Sequence, residues 1–146
     1  MIYLAADHRG FELKEKVKDW LKKENYLVED LGNFVYDSND DYPDFTKKVA
    51  EKISRQKGRG IIFCGSGIGV DIVANRHSGV RCGLGFSLEQ IKHGRENDDI
   101  NCLALPADFL SFEEVKKVII VFLETEFDGK EEHRRRIGKI DNKLKY

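Results

Sequence analysis

Residues 61–75 read IIFCGSGIGVDIVAN, and this stretch limits the possible folds more than any other part of the chain. It opens with Ile61, Ile62 and Phe63, which are β-branched or aromatic without alternation, as in a parallel strand buried on both faces. Glycines at the alternate positions 65, 67 and 69 predict a tight turn, and the residues after them read as a helix. The stretch therefore predicts a strand, a loop and a helix of an α/β fold.

The glycine turn is suited to binding an anion. Its backbone NH groups can approach a bound group closely, and the first NH groups of the following helix lack internal partners. Cys64, at the end of the strand, stands where these NH groups would stabilise a thiolate over a thiol. Two interpretations stay open: a loop that holds an oxyanion beside a base, or an ordinary glycine turn beside a small buried cysteine.

Strand and helix patterns alternate along the rest of the chain. Strands are predicted at residues 2–6, 26–31, 61–64, 80–86 and 100–105, and helices at 10–24, from Pro43, after the glycine turn to about residue 76, at 88–96 and at 111–124. This alternation predicts one α/β domain over residues 1–146. We expect a three-layer αβα, Rossmann-like fold around a five-stranded parallel sheet, with its site at the carboxyl ends of the strands.

The last segment, residues 130–146, reads as a polar helix. A helix with so little apolar face is exposed or packs on a partner chain. We therefore expect this C-terminal helix to pack on a partner subunit, at the interface of a dimer.

Composition excludes several classes of function. The 25 basic and 26 acidic residues give a formal net charge of −1, so no electrostatic attraction to nucleic acid or a membrane surface is expected. No apolar run spans a bilayer and the N-terminus carries no leader pattern, so a cytoplasmic location is the default expectation. The three cysteines are an odd number, each in or beside a predicted strand, and indicate neither a disulfide framework nor a zinc site.

A dinucleotide site is not predicted either. Its fingerprint is G-x-G-x-x-G after the first strand, whereas this chain has G-x-G-x-G after the third. Asp7, His8 and Arg9 instead follow the first strand, where open α/β sheets bind ligands. Two roles stay open for Asp7: a ligand contact, or a cap on the following helix.

Five motifs in order carry a family resemblance: ADHRGFELK, DYPDF at 41–45, CGSGIGVDIVANR at 64–76, GVRCGLG at 79–85 and FDGKEEHRRRIGKID. Together they run from residue 2 to about residue 141. They resemble the ribose-5-phosphate isomerase B and galactose-6-phosphate isomerase subunit family.

The resemblance implies an aldose–ketose isomerase without metal or cofactor, which opens a sugar ring and moves a proton between C1 and C2 through an ene-diolate. By family position, Cys64 is the base for the C2 proton, Ser66 relays a proton between oxygens, and Asp7 contacts the sugar near its ring oxygen. The ene-diolate oxygen would be stabilised by the NH groups of the loop, from Gly65, Gly67, Ile68 and Gly69.

The resemblance also implies a phosphate subsite that is altered here. His8 matches a residue that helps to hold the phosphate, and Tyr42 falls in a matched site motif. The arginine expected after the fifth strand is Asp108, and the first arginine of the tail is Glu132. Each reversal is expected to weaken dianion binding by about 1 kcal/mol or more, and Arg9 is a candidate compensating cation.

Further substrate-binding positions lie late in the chain. The tail keeps His133 and Arg136. The motif HNDxN is replaced by residues 97–101, so Asn97 stands where a ring-opening histidine is expected, followed by Asp98. His93, one turn earlier, is either a surface histidine or a substitute that reaches the site.

Asp71, in the first turn after the glycine loop, also has two possible roles. It complements the helix dipole, or it is a second carboxylate base near the site.

Three functions stay open. The chain isomerises ribose 5-phosphate and ribulose 5-phosphate, or it isomerises a different sugar, or it is a weakly active sugar-phosphate binding protein. The changes at Asn97, Asp108 and Glu132 would suit a different sugar, while Cys64 argues against a pure binder. The resemblance further implies a homodimer, or a tetramer, in which the tail helix reaches the active site of its neighbour.

Overall fold

A computed structural model describes residues 1–56 and 58–141, which form a five-stranded parallel sheet covered by helices. The strands are β1 (Ile2–Ala6), β2 (Val28–Asp30), β3 (Arg59–Cys64), β4 (Cys82–Leu84) and β5 (Cys102–Pro106). The helices are α1 (Phe11–Lys23), α2 (Tyr42–Arg55), α3 (Ile68–Ala74), α4 (Leu88–Asp98), α5 (Phe112–Glu124) and α6 (Glu131–Ile137). The strand order is β2-β1-β3-β5-β4, which confirms the predicted α/β fold with its five-stranded parallel sheet.

Successive residues of the central strands point to opposite faces of the sheet and bury two separate cores. Leu4, Phe63 and Leu105 pack on one face against α1, α4 and α5. Residues on the other face, among them Ile62 and Cys64, pack against α2 and α3. The helices thus form a layer on each side of the sheet, as predicted.

The parallel arrangement fixes what lies at each edge of the sheet. The carboxyl ends of β1, β3 and β5 are neighbours, since Ala6 pairs with Phe63 and Cys64 pairs with Pro106. Each helix then returns the chain to the amino edge, where α4 and α5 end. There Arg59 donates to the carbonyl oxygens of Phe122 and Leu123 at 2.5 and 2.6 Å, which satisfies the open end of α5.

The last helix and the fourth strand are both shorter than predicted. The predicted helix over 130–146 is wrong within the described residues, because α6 ends at Ile137 and residues 138–141 form a turn and a bend. No residue of α6 is buried in this chain, so no packing within the chain extends it. Residues 142–146 lie outside the described residues. Strand β4 spans Cys82–Leu84 instead of 80–86, since it is an edge strand flanked by glycine.

Candidate active site

A cavity of about 670 Å³ opens at the carboxyl edge of the sheet, between the ends of β1, β3 and β5 and the start of α2 and α3. Its volume is in the range of small-molecule sites. It is lined by Asp7, Arg9, Tyr42, Cys64, Gly65, Ser66, Ile68, Gly69, Ile72, Asp108 and Phe109. The structure therefore brings together predicted site residues from three separate segments of the chain, and Asp108 and Phe109 join them from a fourth.

Cys64 lies on the floor of this cavity. It is the last residue of β3, and only 4% of it is exposed. The NH group of Gly67 donates to its Sγ atom at 3.2 Å. The sulfur of Cys64 is thus held against the glycine loop by one backbone donor.

Asp7 is the second buried reactive group at the cavity. Its Oδ1 accepts a hydrogen bond from the NH group of Gly10, the residue directly before α1, at 3.0 Å. Burial raises the pKa of Asp7, although the Gly10 hydrogen bond acts in the opposite direction. Asp7 thus secures the start of α1 and also faces the cavity, with a carboxyl that exchanges its proton nearer to neutral pH than an exposed aspartate.

The three alternating glycines have three different surroundings. Gly67 has φ 75°, the left-handed conformation that disfavours other residues. A methyl group on Gly69 would lie 2.7 Å from the ring of Tyr42, so only glycine lets this ring close over the loop. A methyl group on Gly65 would lie 2.5 Å from Nε of Arg9. The Oγ atom of Ser66 accepts from the NH group of Ile68 at 3.2 Å, which holds the hydroxyl at the turn.

Arg9 and Asp108 form an ion pair at the side of the cavity. Asp108 was expected only as a departure from the family pattern, and its contact with Arg9 joins residues that are 99 positions apart. Its NH group donates to the carbonyl oxygen of Gly65 at 3.0 Å. Within the described chain, the ionisable side chains that line the cavity besides Cys64 and Tyr42 are Arg9, Asp7 and Asp108, so one cation faces two carboxyl groups.

His8 lies beside the cavity and does not line it. Its Nδ1 atom is 2.7 Å from Oδ1 of Asp40, which also accepts from the NH group of His8 at 2.9 Å. Asn33 donates to the other oxygen of Asp40 at 2.6 Å. The hydrogen bond to Asp40 raises the pKa of His8, which favours the imidazolium. The sequence did not single out Asp40, because it stands in an acidic loop with Asp37 and Asp41.

Besides His8, four predicted site residues lie away from this cavity. Asn97 and Asp98 form the last turn of α4, which ends at the opposite edge of the sheet. His133 and Arg136 lie on α6, which packs against α4. The Nδ1 atom of His133 is 2.8 Å from Oδ1 of Asp128.

The contact between Asp128 and His133 holds the imidazole ring of His133 in place. Burial acts to raise the pKa of Asp128, but hydrogen bonds, first from His133 and then from Lys130, lower it to about 2. Asp128 is therefore ionised over the whole neutral range and keeps His133 oriented.

Asp71 and His93 do not line the Cys64 cavity. Asp71 accepts from Nδ2 of Asn75 at 3.1 Å and contacts the thiol of Cys82, while Ile68, Gly69 and Ile72 face the cavity. Burial raises the pKa of Asp71, but its position does not support a role as a second base at the Cys64 cavity. His93 lines a separate cavity of about 470 Å³ between α4 and β4.

A third cavity, of about 600 Å³ at the amino edge, is lined by four arginines and Asp99. Arg59, Arg81 and Arg95 donate there to backbone oxygens near the ends of α4 and α5. This cluster has a structural role, because three helix C-termini converge on it and cations complement their dipoles.

In the part of the chain that the structure describes, no three His, Cys, Asp or Glu side chains are grouped as a metal site would require. Among the same residues, no helix is long and apolar enough to cross a membrane.

The two glycines Gly67 and Gly79 give a matched test of the loop geometry. Both have a positive φ, 75° and 78°, but a methyl group on Gly67 would lie 2.6 Å from Leu84, whereas one on Gly79 would come no nearer than 4.0 Å, to Cα of Ser54. We expect Gly79→Ala to cost about 1–2 kcal/mol of unfolding free energy from backbone strain. Gly67→Ala is expected to cost about 1–3 kcal/mol more, from crowding.

Urea denaturation of the two variants measures this difference. Equal losses of unfolding free energy in the two variants would mean that the loop is not packed as described.

Comparison with known proteins places these features in a family. The sequence profile of the Ribose/Galactose Isomerase family matches residues 2–140. A probable ribose-5-phosphate isomerase B from Mycoplasma genitalium is 40% identical over 141 residues, which cover 95% of this chain and 92% of that protein. Ribose-5-phosphate isomerase B from Mycobacterium leprae is 34% identical over 137 residues, covering 93% of this chain and 85% of that one.

Solved structures agree with this assignment. The ribose 5-phosphate isomerase of Thermotoga maritima has a TM-score of 0.91 and 42% identity, and the match covers 96% of each chain. The Mycoplasma genitalium ribose-5-phosphate isomerase B, solved with bound ribulose-5-phosphate, has a TM-score of 0.91 and 40% identity, and covers 95% of this chain and 92% of that one. The chain belongs to the ribose/galactose isomerase family.

Proposed function

We propose that this chain is an aldose–ketose isomerase that interconverts ribose 5-phosphate and ribulose 5-phosphate. The observation that carries the proposal is a buried thiol and a buried carboxyl, Cys64 and Asp7, on the same cavity beside a loop of backbone NH groups. Relatives named ribose-5-phosphate isomerase B, one of them solved with ribulose-5-phosphate, support this substrate.

The reaction requires a proton to move between neighbouring carbons. In the proposed mechanism, the carboxyl group of Asp7 contacts the ring oxygen while the sugar ring opens. Cys64, as thiolate, then takes the proton from C2 of the open chain and returns it to C1. Ser66 relays a proton between the oxygens on C2 and C1. The loop NH groups bind the ene-diolate oxygen, which is negative only while the proton is on the enzyme.

The phosphate requires cations that one chain does not supply alone. A dianion that enters this cavity meets Arg9 but also the carboxyl groups of Asp7 and Asp108. His8 stands beside the cavity, while His133 and Arg136 lie at the far edge of the sheet. We infer a homodimer, or a tetramer built from such dimers, in which these tail residues together with Asn97 and Asp98 complete the site of the partner subunit.

Apolar surface at the rim supports the same arrangement. Ile72 and Phe109 line the cavity and yet are 51% and 65% exposed. Phe86 packs against Phe109, with ring centroids 6.2 Å apart, and is also half exposed. An apolar rim of this kind around a binding cavity is typical of a protein interface.

The substrate is tested by assaying the purified protein, without added metal, on ribose 5-phosphate beside ribose and allose 6-phosphate. We expect formation of ribulose 5-phosphate with kcat of about 1–10³ s⁻¹ and little turnover of the other two sugars. Folded protein that is inactive on ribose 5-phosphate but active on another sugar would contradict the proposed substrate.

The base is tested by Cys64→Ala with Cys82→Ala as its control. Loss of a positioned general base is expected to lower kcat about 10²–10⁴-fold in Cys64→Ala. Cys82 begins β4 and lies outside the cavity, so its variant is expected to keep kcat within about threefold. Full turnover by Cys64→Ala would show that another group takes the C2 proton.

The His8–Asp40 contact predicts a pH dependence of substrate binding. Because the pKa of His8 is raised above 6.5, the contact stabilises the fold below about pH 6.5, and this contribution is lost as pH rises through the folded-state pKa. The imidazolium that helps to hold the phosphate is lost over the same range. The KM for ribose 5-phosphate is therefore expected to increase as pH rises past the pKa of His8.

Asp40→Asn is expected to move the onset of this increase to lower pH, with kcat nearly unchanged. Asp37→Asn removes the same charge from an exposed position of the same loop and is expected to leave the profile as it is. An identical onset in Asp40→Asn and the unmodified protein would mean that His8 does not bind the phosphate.

A further inference from the structure

Arg9 is the one cation among the residues that line the Cys64 cavity in the described chain. It is placed on the turn between β1 and α1, and its side chain is 59% exposed. A long exposed side chain normally samples many rotamers, and ordering it costs free energy. An arginine that binds substrate therefore benefits from a group that holds it in place beforehand.

Asp108 is positioned to hold the side chain of Arg9. Its backbone NH donates to the carbonyl oxygen of Gly65 at 3.0 Å, which fixes the turn after β5 against the glycine loop. Its carboxylate accepts a hydrogen bond from Nη2 of Arg9. A methyl group on Gly65 would lie 2.6 Å from Oδ2 of Asp108 and 2.8 Å from Cζ of Arg9, so the ion pair rests directly on this glycine.

The ion pair leaves part of the guanidinium available. A guanidinium carries five NH donors in a planar fork. Within residues 1–56 and 58–141, the one hydrogen bond of the Arg9 side chain is from Nη2 to Asp108. The donors on Nε and Nη1 can therefore bind an oxyanion while the contact with Asp108 persists.

We propose that Arg9 is the anion-binding cation that this chain contributes to its own cavity, and that Asp108 is a positioning residue that holds Arg9 over Gly65. The inference rests on the proposed function and names the part of its phosphate site that does not come from a partner. Asp108 has two opposing effects on a bound phosphate: it orders Arg9, and it repels the dianion. The first effect requires Arg9 and the second does not.

Because Asp108 orders Arg9 but repels the phosphate, variants with and without Arg9 separate the two effects of Asp108. Dissociation constants for inorganic phosphate and for ribose 5-phosphate are measured by calorimetry for the single variants Arg9→Ala and Asp108→Ala, the double alanine variant, and the exchanged variant Arg9→Asp with Asp108→Arg. Arg55→Ala, which removes an exposed arginine at the end of α2, is the control for loss of one charge. KM and kcat are measured on the same proteins.

Arg9→Ala is expected to weaken binding of both ligands and to raise KM about tenfold or more, with kcat within about threefold. Asp108→Ala is expected to weaken binding about threefold or more when Arg9 is present, and not to weaken it in the Arg9→Ala background. The exchanged variant keeps a cation at the same place and is expected to recover most of the affinity. Arg55→Ala is expected to bind like the unmodified protein.

Unchanged phosphate and ribose 5-phosphate binding in Arg9→Ala would overturn the proposal. Equal weakening by Asp108→Ala with and without Arg9 would overturn the positioning role, because the effect would then be structural. The binding measurements do not depend on turnover. Inactivity of the unmodified protein on ribose 5-phosphate would therefore count against the proposed function, and the phosphate affinities would still decide the role of Arg9.

Discussion

The parallel pairing of five strands is the constraint on which the rest of this structure depends. It gathers the ends of β1, β3 and β5 at one edge, so Asp7, Cys64 and Asp108 meet although they are far apart in the sequence. It also obliges the helices that connect strands to return the chain to the other edge. The last turn of α4 therefore lies away from the cavity, and α6, which packs against α4, lies away from it as well.

The chemistry of the cavity follows from burial and from a small number of fixed charges. A buried carboxyl and a buried thiol are suited to moving protons, and the NH groups of a glycine loop are suited to a transient oxyanion. A cavity lined by one cation and two carboxyl groups is expected to bind a permanent dianion weakly. In the proposed account, the groups that would move the proton between C1 and C2 line the cavity of one chain, whereas one cation is all that this lining offers to a phosphate.

Much of this was predictable from local sequence, and the reasons for the exceptions are physical. The apolar run at 61–63 and the alternating glycines identified β3, its loop and Cys64, because these signals depend on adjacent residues. The contact of Arg9 with Asp108 joins positions 99 residues apart, so no local pattern carries it. Asp40 is one of several acids in its loop, and only the fold distinguishes it. The end of α6 was missed because a polar helix has no apolar periodicity to mark its length.

The most direct test of this account is to mix two inactive variants, Cys64→Ala and Arg136→Ala, after unfolding and refolding them together in equal amounts. If each cavity is completed by the tail of the partner, a mixed dimer has one site with both residues intact. The mixture then regains about a quarter of the unmodified activity on ribose 5-phosphate, since half of the dimers are mixed and each has one working site of two. No gain over the separate variants would contradict the account, because Cys64 and Arg136 would then act within the same chain or not together at all.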